Sequence, residues 1–499
     1  MSQKEKIARE KIESPLKYIL RILSGPIVFA IIQLLPIADL EAKGHLALSV
    51  FGWILTWWIT QPIPWAITAF LPLVLFPLLD VMAIRGTVAL YGQRILPFLM
   101  GVMIFGHAFY KHGLAKRFAL KLLSIKGLAS SGNRIILLII IATAIVSAVV
   151  DDAASVAIFI PIAMSLARAV TDIYSKTEGG GKGAPKFLAA CALGVLYGAG
   201  AGGLMTPAGV PFNPLAISLL ESLTSYRVSF AQWTATGLVL GIVLIILYYF
   251  VLRVMSPSEV GKIGSETTEY LAEEKKKLGP ITAGERNVLI VFVIMIILWF
   301  VPGFFTLPSF FKFLDIWYVP MVGVIILYLL PVNVKKREMT LDSKDFQTGV
   351  SWNVLFLVVG GTAIADGLVA VGITDWLTDM ISNSMSTGIL PWISAVVGAL
   401  LGNLTSGTAT TNIVSTIMFP IGESLGYNSA ILARIIAAAA FSITLPWAGA
   451  APGAAFASGE IKMSNMIRCG VVGTIIAIVL YTVLSMLLVP LFGAFTFIG

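Results

Sequence analysis

Charged residues, histidine and cysteine are all scarce in this chain of 499 residues. Only 12% of its residues are charged and 58% are hydrophobic, with three histidines and two cysteines. A soluble globular protein of this length cannot cover its surface with so few charged groups. The composition therefore excludes a water-soluble enzyme or binding domain. It indicates an all-α polytopic membrane protein.

The scarcity of cysteine and the placement of the basic residues exclude two further classes. Cys191 and Cys469 both lie within apolar segments, so no disulfide framework is expected. The net charge is +8, but the basic residues lie in short segments between apolar runs, as the positive-inside rule describes. We therefore expect no nucleic-acid partner. Basic residues also precede the first apolar stretch, which lacks a small-residue cleavage site, so we predict a multi-pass protein of the cytoplasmic membrane with a cytoplasmic N-terminus.

The apolar runs divide the chain into four parts. We predict an N-terminal segment with the first span (1–44), a first repeat (45–254), a polar cytoplasmic linker (255–286) and a second repeat (287–499). The first repeat contains an interrupted hairpin at 134–170 and a broken helix at 187–223. The second repeat contains the corresponding hairpin at 389–426 and broken helix at 430–460.

The two halves match each other at one constant offset. It relates Gly101 to Gly360, His107 to Asp366 and Gly113 to Gly372. By the distribution of basic loops, the first hairpin enters from the cytoplasm and the second from outside, so the repeats are inverted. Inverted repeats with discontinuous helices are typical of secondary transporters with a site near the bilayer midplane.

Two adjacent carboxylates, Asp151 and Asp152, interrupt the first hairpin. Aspartate is costly at membrane depth, so the pair predicts a solvated or cation-binding site. Three roles remain open. A cation compensates the charge, one carboxyl keeps a proton, or Asp152 caps a helix that starts at Ala153. We predict capping for one aspartate and cation or proton binding for the other.

Small residues fill both broken helices. The first reads GAGAGGLMTPAGVPFNPLAIS from Gly198 and the second TLPWAGAAPGAAFASGE from Thr444. Glycine and proline let the backbone unwind, and the positive N-terminus of a resumed helix attracts a carboxylate. Thr206 and Asn213 add polar side chains to the first loop. Close helix packing by small residues is the alternative interpretation.

The second hairpin carries the polar string GNLTSGTATTN from Gly402. Its hydroxyl and amide groups suit both Na⁺ and carboxylates, although hydroxyls also bond to their own helix. Neither hairpin tip and neither loop contains Lys, Arg or His. Carboxylate recognition is therefore assigned to helix N-termini, hydroxyls and Asn213.

Four segments resemble the divalent anion:sodium symporters, which include Na⁺-coupled dicarboxylate and citrate transporters and related exchangers. They are WWITQPIPWAITAFLPLVLFPLL from Trp57, HGLAKRFALKLL from His112, GVPFN from Gly209 and TSGTATT from Thr405. The resemblance covers nearly the whole chain. It implies a homodimer in lipid, about eleven transmembrane helices, and a transport part that moves like an elevator against a scaffold.

The resemblance also implies the site residues. The two tips fall on Asp151 to Ala153 and on Ser406 to Thr408, and an alternative register puts Thr410, Thr411 and Asn412 at the second tip. With the polar loop residues, the substrate site comprises Asp152, Ala153, Thr206, Pro211, Asn213, Ser406, Gly407, Thr408 and Pro452. The cation or proton site comprises Ser147, Asp151, Asp152, Gly202, Gly203, Thr405, Ser406 and Ala448, with Na⁺ as the candidate metal ion and no other cofactor.

Several positions depart from the family pattern. Asp-Asp-Ala replaces Ser-Asn-Thr in the first tip, Ser-Gly-Thr lacks the amide of the second tip, Gln61 replaces a glutamate and Gly453 replaces an asparagine. These departures leave the coupling open between Na⁺ symport, dicarboxylate exchange and proton coupling.

We predict a secondary active transporter of di- and tricarboxylates such as succinate, malate, fumarate and 2-oxoglutarate, and not an enzyme. A carrier of sulfate or another oxyanion is the first alternative, and a channel is another. An intramembrane hydrolase would use Asp151 and Asp152 as an acid and a base. It is disfavoured because adjacent residues on one tip point in different directions.

Overall fold

The computed structural model describes residues 15–37, 39–124, 130–177, 183–261, 273–304, 316–373, 376 and 386–494. Within these ranges the protein is helical, apart from one antiparallel pair of short strands, Pro331–Asn333 (β1) and Glu338–Met339 (β2). These ranges include both interrupted hairpins and both broken helices of the sequence prediction.

Twelve helices lie in the described part of the first half. They are α1 (Pro15–Leu34), α2 (Ala42–Thr60), α3 (Trp65–Thr68), α4 (Leu71–Leu78), α5 (Ile84–Ala89), α6 (Ile95–Lys111), α7 (Leu114–Leu123), α8 (Gly132–Ser147), α9 (Asp152–Thr177), α10 (Pro185–Gly203), α11 (Phe212–Leu223) and α12 (Phe230–Met255). The helices described in the second half are α13 (Ala283–Phe304), α14 (Val319–Leu329), α15 (Ser343–Gly349), α16 (Trp352–Ala370), α17 (Leu390–Leu404), α18 (Gly407–Ser424), α19 (Ser429–Ala439), α20 (Ala450–Phe456) and α21 (Met463–Ala494), with a 3₁₀ turn at Thr387–Ile389.

Long apolar helices make this a multi-pass membrane protein. Within the described ranges, eight helices are long and apolar enough to cross a bilayer, and shorter apolar helices such as Gly132–Ser147 and Ser429–Ala439 accompany them. The outer helices leave large apolar side chains exposed, for example Leu20 and Ile27 on α1 and Leu487 on α21. Such surfaces are favourable against lipid and unfavourable in water.

Each interrupted run is broken at small or capping residues. The first hairpin turns between Ser147 and Asp152, and the second turns at Thr405 and Ser406. The broken helices lose their helical backbone between α10 and α11 and between α19 and α20. Backbone groups left unpaired at such breaks need a polar cavity or protein partners at membrane depth.

Glycine lets α10 lie directly against α8. A Cβ atom added to Gly202 would lie 2.0 Å from the carbonyl oxygen of Ala144, and one added to Gly198 would lie 2.4 Å from that of Ile140. The two helices therefore meet backbone to backbone. This contact fixes the first broken helix against the first arm of the first hairpin.

Helix α11 lies against the second arm of the second hairpin. It packs against α18 and α19, and a Cβ atom on Gly407 would lie 2.7 Å from the ring of Phe212 at the start of α11. Most of the buried apolar residues form one large cluster, and a smaller cluster lies where α2 to α4 pack on α16. The hairpin tips meet beside α11.

Candidate functional site

Both hairpin tips open into one cavity of about 980 Å³. From the predicted site, the residues that line it are Asp151, Asp152, Ala153, Pro211, Ser406, Gly407, Thr408, Ala448 and Pro452. The fold therefore brings together two tips that are distant in sequence, with the loops of both broken helices beside them. A cavity of this volume accommodates a small organic ligand.

Asp151 caps the second arm of the first hairpin. Its Oδ1 atom accepts hydrogen bonds from the backbone N–H groups of Ala153 at 3.1 Å and Ala154 at 3.3 Å, and α9 begins at Asp152. The prediction was that one of the two aspartates caps, and that aspartate is Asp151; the open alternative of Asp152 capping a helix from Ala153 is off by one residue. Because the helix begins at Asp152, the carboxylate of Asp151 reaches the N–H groups two and three residues ahead. Asp152, which is 9% exposed, is the aspartate of the pair not used as the cap.

Thr206 and Asn213 hold the first loop and do not line the cavity. Thr206 Oγ1 donates to the carbonyl oxygen of Ala148 at 2.5 Å, and Asn213 Nδ2 donates to those of Gly203 at 2.9 Å and Thr206 at 2.7 Å. Asn213 is fully buried, and its Oδ1 atom has no hydrogen-bond partner among the described residues. An unpaired amide oxygen of this kind is a suitable cation ligand.

Ser147, Gly202 and Gly203 lie together beneath the first tip, outside the cavity lining. Ser147 is fully buried, and its Oγ atom donates to the carbonyl oxygen of Ala199 at 2.8 Å. A Cβ atom on Gly203 would lie 3.5 Å from this Oγ atom. Three of the cation-site residues predicted in the first half, Ser147, Gly202 and Gly203, thus form one buried group beside Asn213, whereas Asp151 and Asp152 line the cavity.

Ser406 caps the second arm of the second hairpin. Its Oγ atom accepts from the N–H group of Ala409 at 3.2 Å, and Thr405 Oγ1 lies 3.0 Å from Thr410 Oγ1. The turn is at Thr405 and Ser406, whereas the residues of the alternative register, Thr410, Thr411 and Asn412, are buried inside α18. The tip therefore has one capped helix N-terminus, as the first tip does.

A polar pair joins the second loop to the second hairpin, and the sequence analysis missed its loop member, Ser442. Ser442, which lines the cavity, donates from Oγ to Asn403 Oδ1 at 2.6 Å. Thr444, by contrast, lies with its Oγ1 atom 3.4 Å from Thr474 Oγ1 on α21 and is not part of the lining. In the sequence, Ser442 could have been recognised as a polar residue three positions after the alanine-rich end of α19.

His107 is the only basic residue among the described residues that line the cavity. Its Nε2 atom lies 2.9 Å from Asp345 Oδ1, and Lys111 Nζ donates to Asp345 Oδ2 at 2.6 Å. Burial acts to raise the pKa of Asp345, but hydrogen bonds from Lys111, the Asp342 backbone and His107 act against it, and the net pKa is lowered. The sequence analysis used His107 only as a marker of the repeat.

Interrupted apolar helices whose ends meet at a cavity inside a multi-pass helical protein define a membrane transporter. The sequence model of the family described as the sodium:sulfate symporter transmembrane region matches residues 16–494. The chain belongs to this family, the divalent anion:sodium symporters, so the resemblance seen in the sequence is confirmed.

The chain is also similar to proteins named as sodium-dependent dicarboxylate transporters. The sodium-dependent dicarboxylate transporter SdcS of Staphylococcus saprophyticus is 28% identical over 477 residues, covering 94% of this chain and 91% of that protein. SdcS of Staphylococcus aureus strain USA300 is 27% identical over 488 residues, covering 94% and 91%.

Two solved structures have a similar fold at low identity. The YdaH transporter of Alcanivorax borkumensis has a TM-score of 0.52 at 14% identity and covers 96% of this chain and 99% of its own. MtrF of Neisseria gonorrhoeae has a TM-score of 0.55 at 13% identity, with coverage of 94% and 93%. These two likenesses concern the fold alone.

Proposed function

We propose that this protein is a secondary active transporter that carries dicarboxylates of the succinate, malate, fumarate and 2-oxoglutarate class across the cytoplasmic membrane together with Na⁺. The observation that carries the proposal is the single cavity of about 980 Å³ into which both capped tips open. The sodium-dependent dicarboxylate transporters among the relatives support the choice of substrate and ion. The protein is a transporter and not an enzyme in this proposal.

The substrate carboxylates bind at the starts of helices. Helices α9, α11 and α18 all begin at the cavity, and a helix N-terminus presents unpaired N–H groups and a positive dipole end. The caps from Asp151 and Ser406 occupy only some of these N–H groups. The remaining donors and the hydroxyl of Thr408 hold the substrate.

A cation offsets the charge of Asp152. Two unit charges 4 Å apart repel by about 4 kcal/mol at an effective dielectric constant of about 20, so an ionised Asp152 would weaken the binding of a dianion. Na⁺ held by oxygen atoms near Ser147, Asn213 and Asp152 removes this penalty. A second Na⁺ site lies at Thr405, Ser406 and Ala448. Substrate and ion therefore bind together, which is the basis of coupling.

The transport cycle follows an elevator mechanism in a homodimer. We propose about eleven transmembrane helices in two inverted repeats, 45–254 and 287–499, with the N-terminus and the linker 255–286 in the cytoplasm. The cavity extends from the tips to Tyr110 and Thr348, near Lys111, and its lining includes no residue of α6 before Val102. With the Lys111 end of α6 in the cytoplasm, this is an inward-facing arrangement.

Uptake of labelled succinate into proteoliposomes tests the proposal. We expect uptake that requires an inward Na⁺ gradient and does not require internal dicarboxylate. Uptake that depends on internal dicarboxylate and ignores Na⁺ would show an exchanger instead. The oxyanion alternative would be favoured if the protein takes up labelled sulfate and if unlabelled sulfate, but not unlabelled succinate, inhibits this uptake.

A further inference from the structure

Arg434 is a charged side chain buried at membrane depth. It belongs to α19 and is 2% exposed. Its Nη2 atom donates to the carbonyl oxygen of Leu204 at 2.6 Å, and its guanidinium carbon lies 4.6 Å from the centre of the Trp233 ring. Its Nε and Nη1 atoms have no hydrogen-bond partner among the described residues. A charge in this environment is costly, so a functional reason is expected.

The carbonyl that Arg434 contacts lies at the end of the first broken helix. Helix α10 ends at Gly203, and Leu204 is the next residue. The last carbonyl groups of a helix lack intrahelical partners and form the negative end of its dipole. The guanidinium group therefore offsets negative charge at this helix end, and the Trp233 ring adds a cation–π contact.

The surrounding residues leave space for this arrangement. A Cβ atom on Gly237 of α12 would lie 2.5 Å from Arg434 Nη2 and 2.2 Å from the carbonyl oxygen of Met205. Only glycine at this position allows the guanidinium group and the helix end to approach each other. The contact therefore depends on three helices, α10, α12 and α19.

A chain of hydrogen bonds links this helix end to the first hairpin. Asn213 donates to the carbonyl oxygens of Gly203 and Thr206, on either side of Leu204 and Met205, and Thr206 donates to the carbonyl oxygen of Ala148. Ala148 directly follows Ser147. The Arg434 contact thus sets the orientation of the turn that presents oxygen atoms to the candidate cation site in the first half.

We propose that Arg434 is a positioning residue for cation binding. It does not touch the ion or the substrate, and it acts by fixing the carbonyl of Leu204 and with it the turn from Gly203 to Thr206. The inference rests on the proposed Na⁺ coupling. It predicts a selective loss of Na⁺ affinity in Arg434 variants, with little change in the binding of dicarboxylate at saturating Na⁺.

The test compares R434K, R434Q and R434M with R168Q. Arg168 is a control because it forms an exposed ion pair with Glu460 at 2.7 Å, away from the cavity. Two quantities are measured for each protein. They are the Na⁺ concentration for half-maximal succinate uptake in proteoliposomes, and the shift of the unfolding temperature of purified protein when choline chloride is replaced by NaCl.

We expect R434Q and R434M to raise the half-saturating Na⁺ concentration by about tenfold or more, the range seen when supporting partners of metal ligands are removed. R434K keeps the positive charge but lacks the planar guanidinium group, so its half-saturating Na⁺ concentration should lie between those of R434Q and R434M and that of the wild type. The KM for succinate at saturating Na⁺ should change less than about twofold, and R168Q should resemble the wild type.

Two results would overturn the inference. One is a folded Arg434 variant with the wild-type Na⁺ dependence, and the other is failure of all three variants to fold, which would make Arg434 purely structural. A wild-type protein that shows neither Na⁺-dependent uptake nor a Na⁺-dependent unfolding temperature would refute the proposed function itself. The two failures are thus distinguished in one experiment.

Discussion

Asp151 and Asp152 are neighbours with different environments. Asp151 accepts two backbone hydrogen bonds at the start of α9, whereas Asp152 is the aspartate of the cavity that does not serve as the cap. Both carboxylates line the cavity, but only that of Asp151 also holds backbone N–H groups and so contributes to the stability of the helix. Substitutions at the two positions should therefore separate stability from coupling.

We predict that Asp151→Ala lowers the free energy of unfolding by about 1 kcal/mol, while Asp151→Asn, which keeps a capping oxygen, costs less. Asp152→Asn should leave stability nearly unchanged and alter the Na⁺ dependence of uptake, because it removes the charge that the cation offsets. Thermal unfolding and succinate uptake measure the two effects. Wild-type transport in both asparagine variants would exclude a coupling role for the pair.

At the scale of residues, most of the predicted site residues line the cavity, but most of the lining and the partners of individual atoms were not predicted. The pattern of Asp151 and Asp152 predicted one cap and one cation- or proton-binding carboxylate, and the start of the helix at Asp152 decides which one caps. Arg434, a lone charge in an apolar run, was not singled out, and its partner carbonyl, 230 residues away in the sequence, could not be predicted. Asn213 was predicted as a polar loop residue, but its hydrogen bonds depend on where the loop folds back.

The contact between α8 and α10 is decided by glycines. Gly202 faces the carbonyl group of Ala144 with no room for a Cβ atom, whereas a Cβ atom on Gly194, in the same helix, would lie 3.4 Å from the Ile140 side chain. The latter is an ordinary van der Waals distance. The two positions form a matched pair on one helix face.

Gly202→Ala should therefore destabilise the protein by about 3 kcal/mol, since backbone atoms on both sides cannot move apart easily. Gly194→Ala should be tolerated, with alanine favoured over glycine inside a helix. Unfolding temperature and yield of the purified protein are the measurements. Equal stability of the two variants would contradict the backbone contact between α8 and α10.

The second tip depends on the cap of α18. Ser406→Ala removes the acceptor for the N–H group of Ala409 and should cost about 1 kcal/mol. It should also raise the KM for succinate, because the tip no longer holds its N–H groups in place. Ser424→Ala, at the other end of α18, is the control. A similar KM in both variants would show that the cap does not support substrate binding.

At the scale of elements, small-residue runs predicted where helices break but not how they resume. The predicted second hairpin, 389–426, corresponds closely to α17 and α18. The second broken helix resumes only as the seven residues of α20, because the glycine and proline content of this loop disfavours a longer helix. The length of a resumed helix depends on packing that composition does not encode.

Contacts across the whole molecule join the start of α6 to α11 and α16, at the end of α6 opposite Lys111. Arg94, just before α6, pairs with Glu221 of α11 at 2.8 Å, and Gln93 donates to Asp366 of α16. Asp366 is the position that matches His107 in the sequence repeat. The sequence predicted that match, but the different partners of the two residues depend on the packing of neighbouring helices.

Thiol labelling tests which end of the cavity is open. The native Cys191 and Cys469 are buried and should give little background. A cysteine introduced by Ser351→Cys at the cavity should react with a membrane-impermeant reagent only from the cytoplasmic side, and succinate with Na⁺ should slow the reaction. A cysteine introduced by Arg227→Cys should react only from outside. Labelling of both from one side would contradict the proposed topology.

Helix α11 begins beside both tips, with Phe212 against Gly407 and the preceding loop bonded to Ala148. This short helix therefore lies beside both proposed Na⁺ sites. An ion that binds at either tip restricts this element and lowers the entropy cost for the next ion. Sodium activation of uptake should accordingly be sigmoidal, with a Hill coefficient above one.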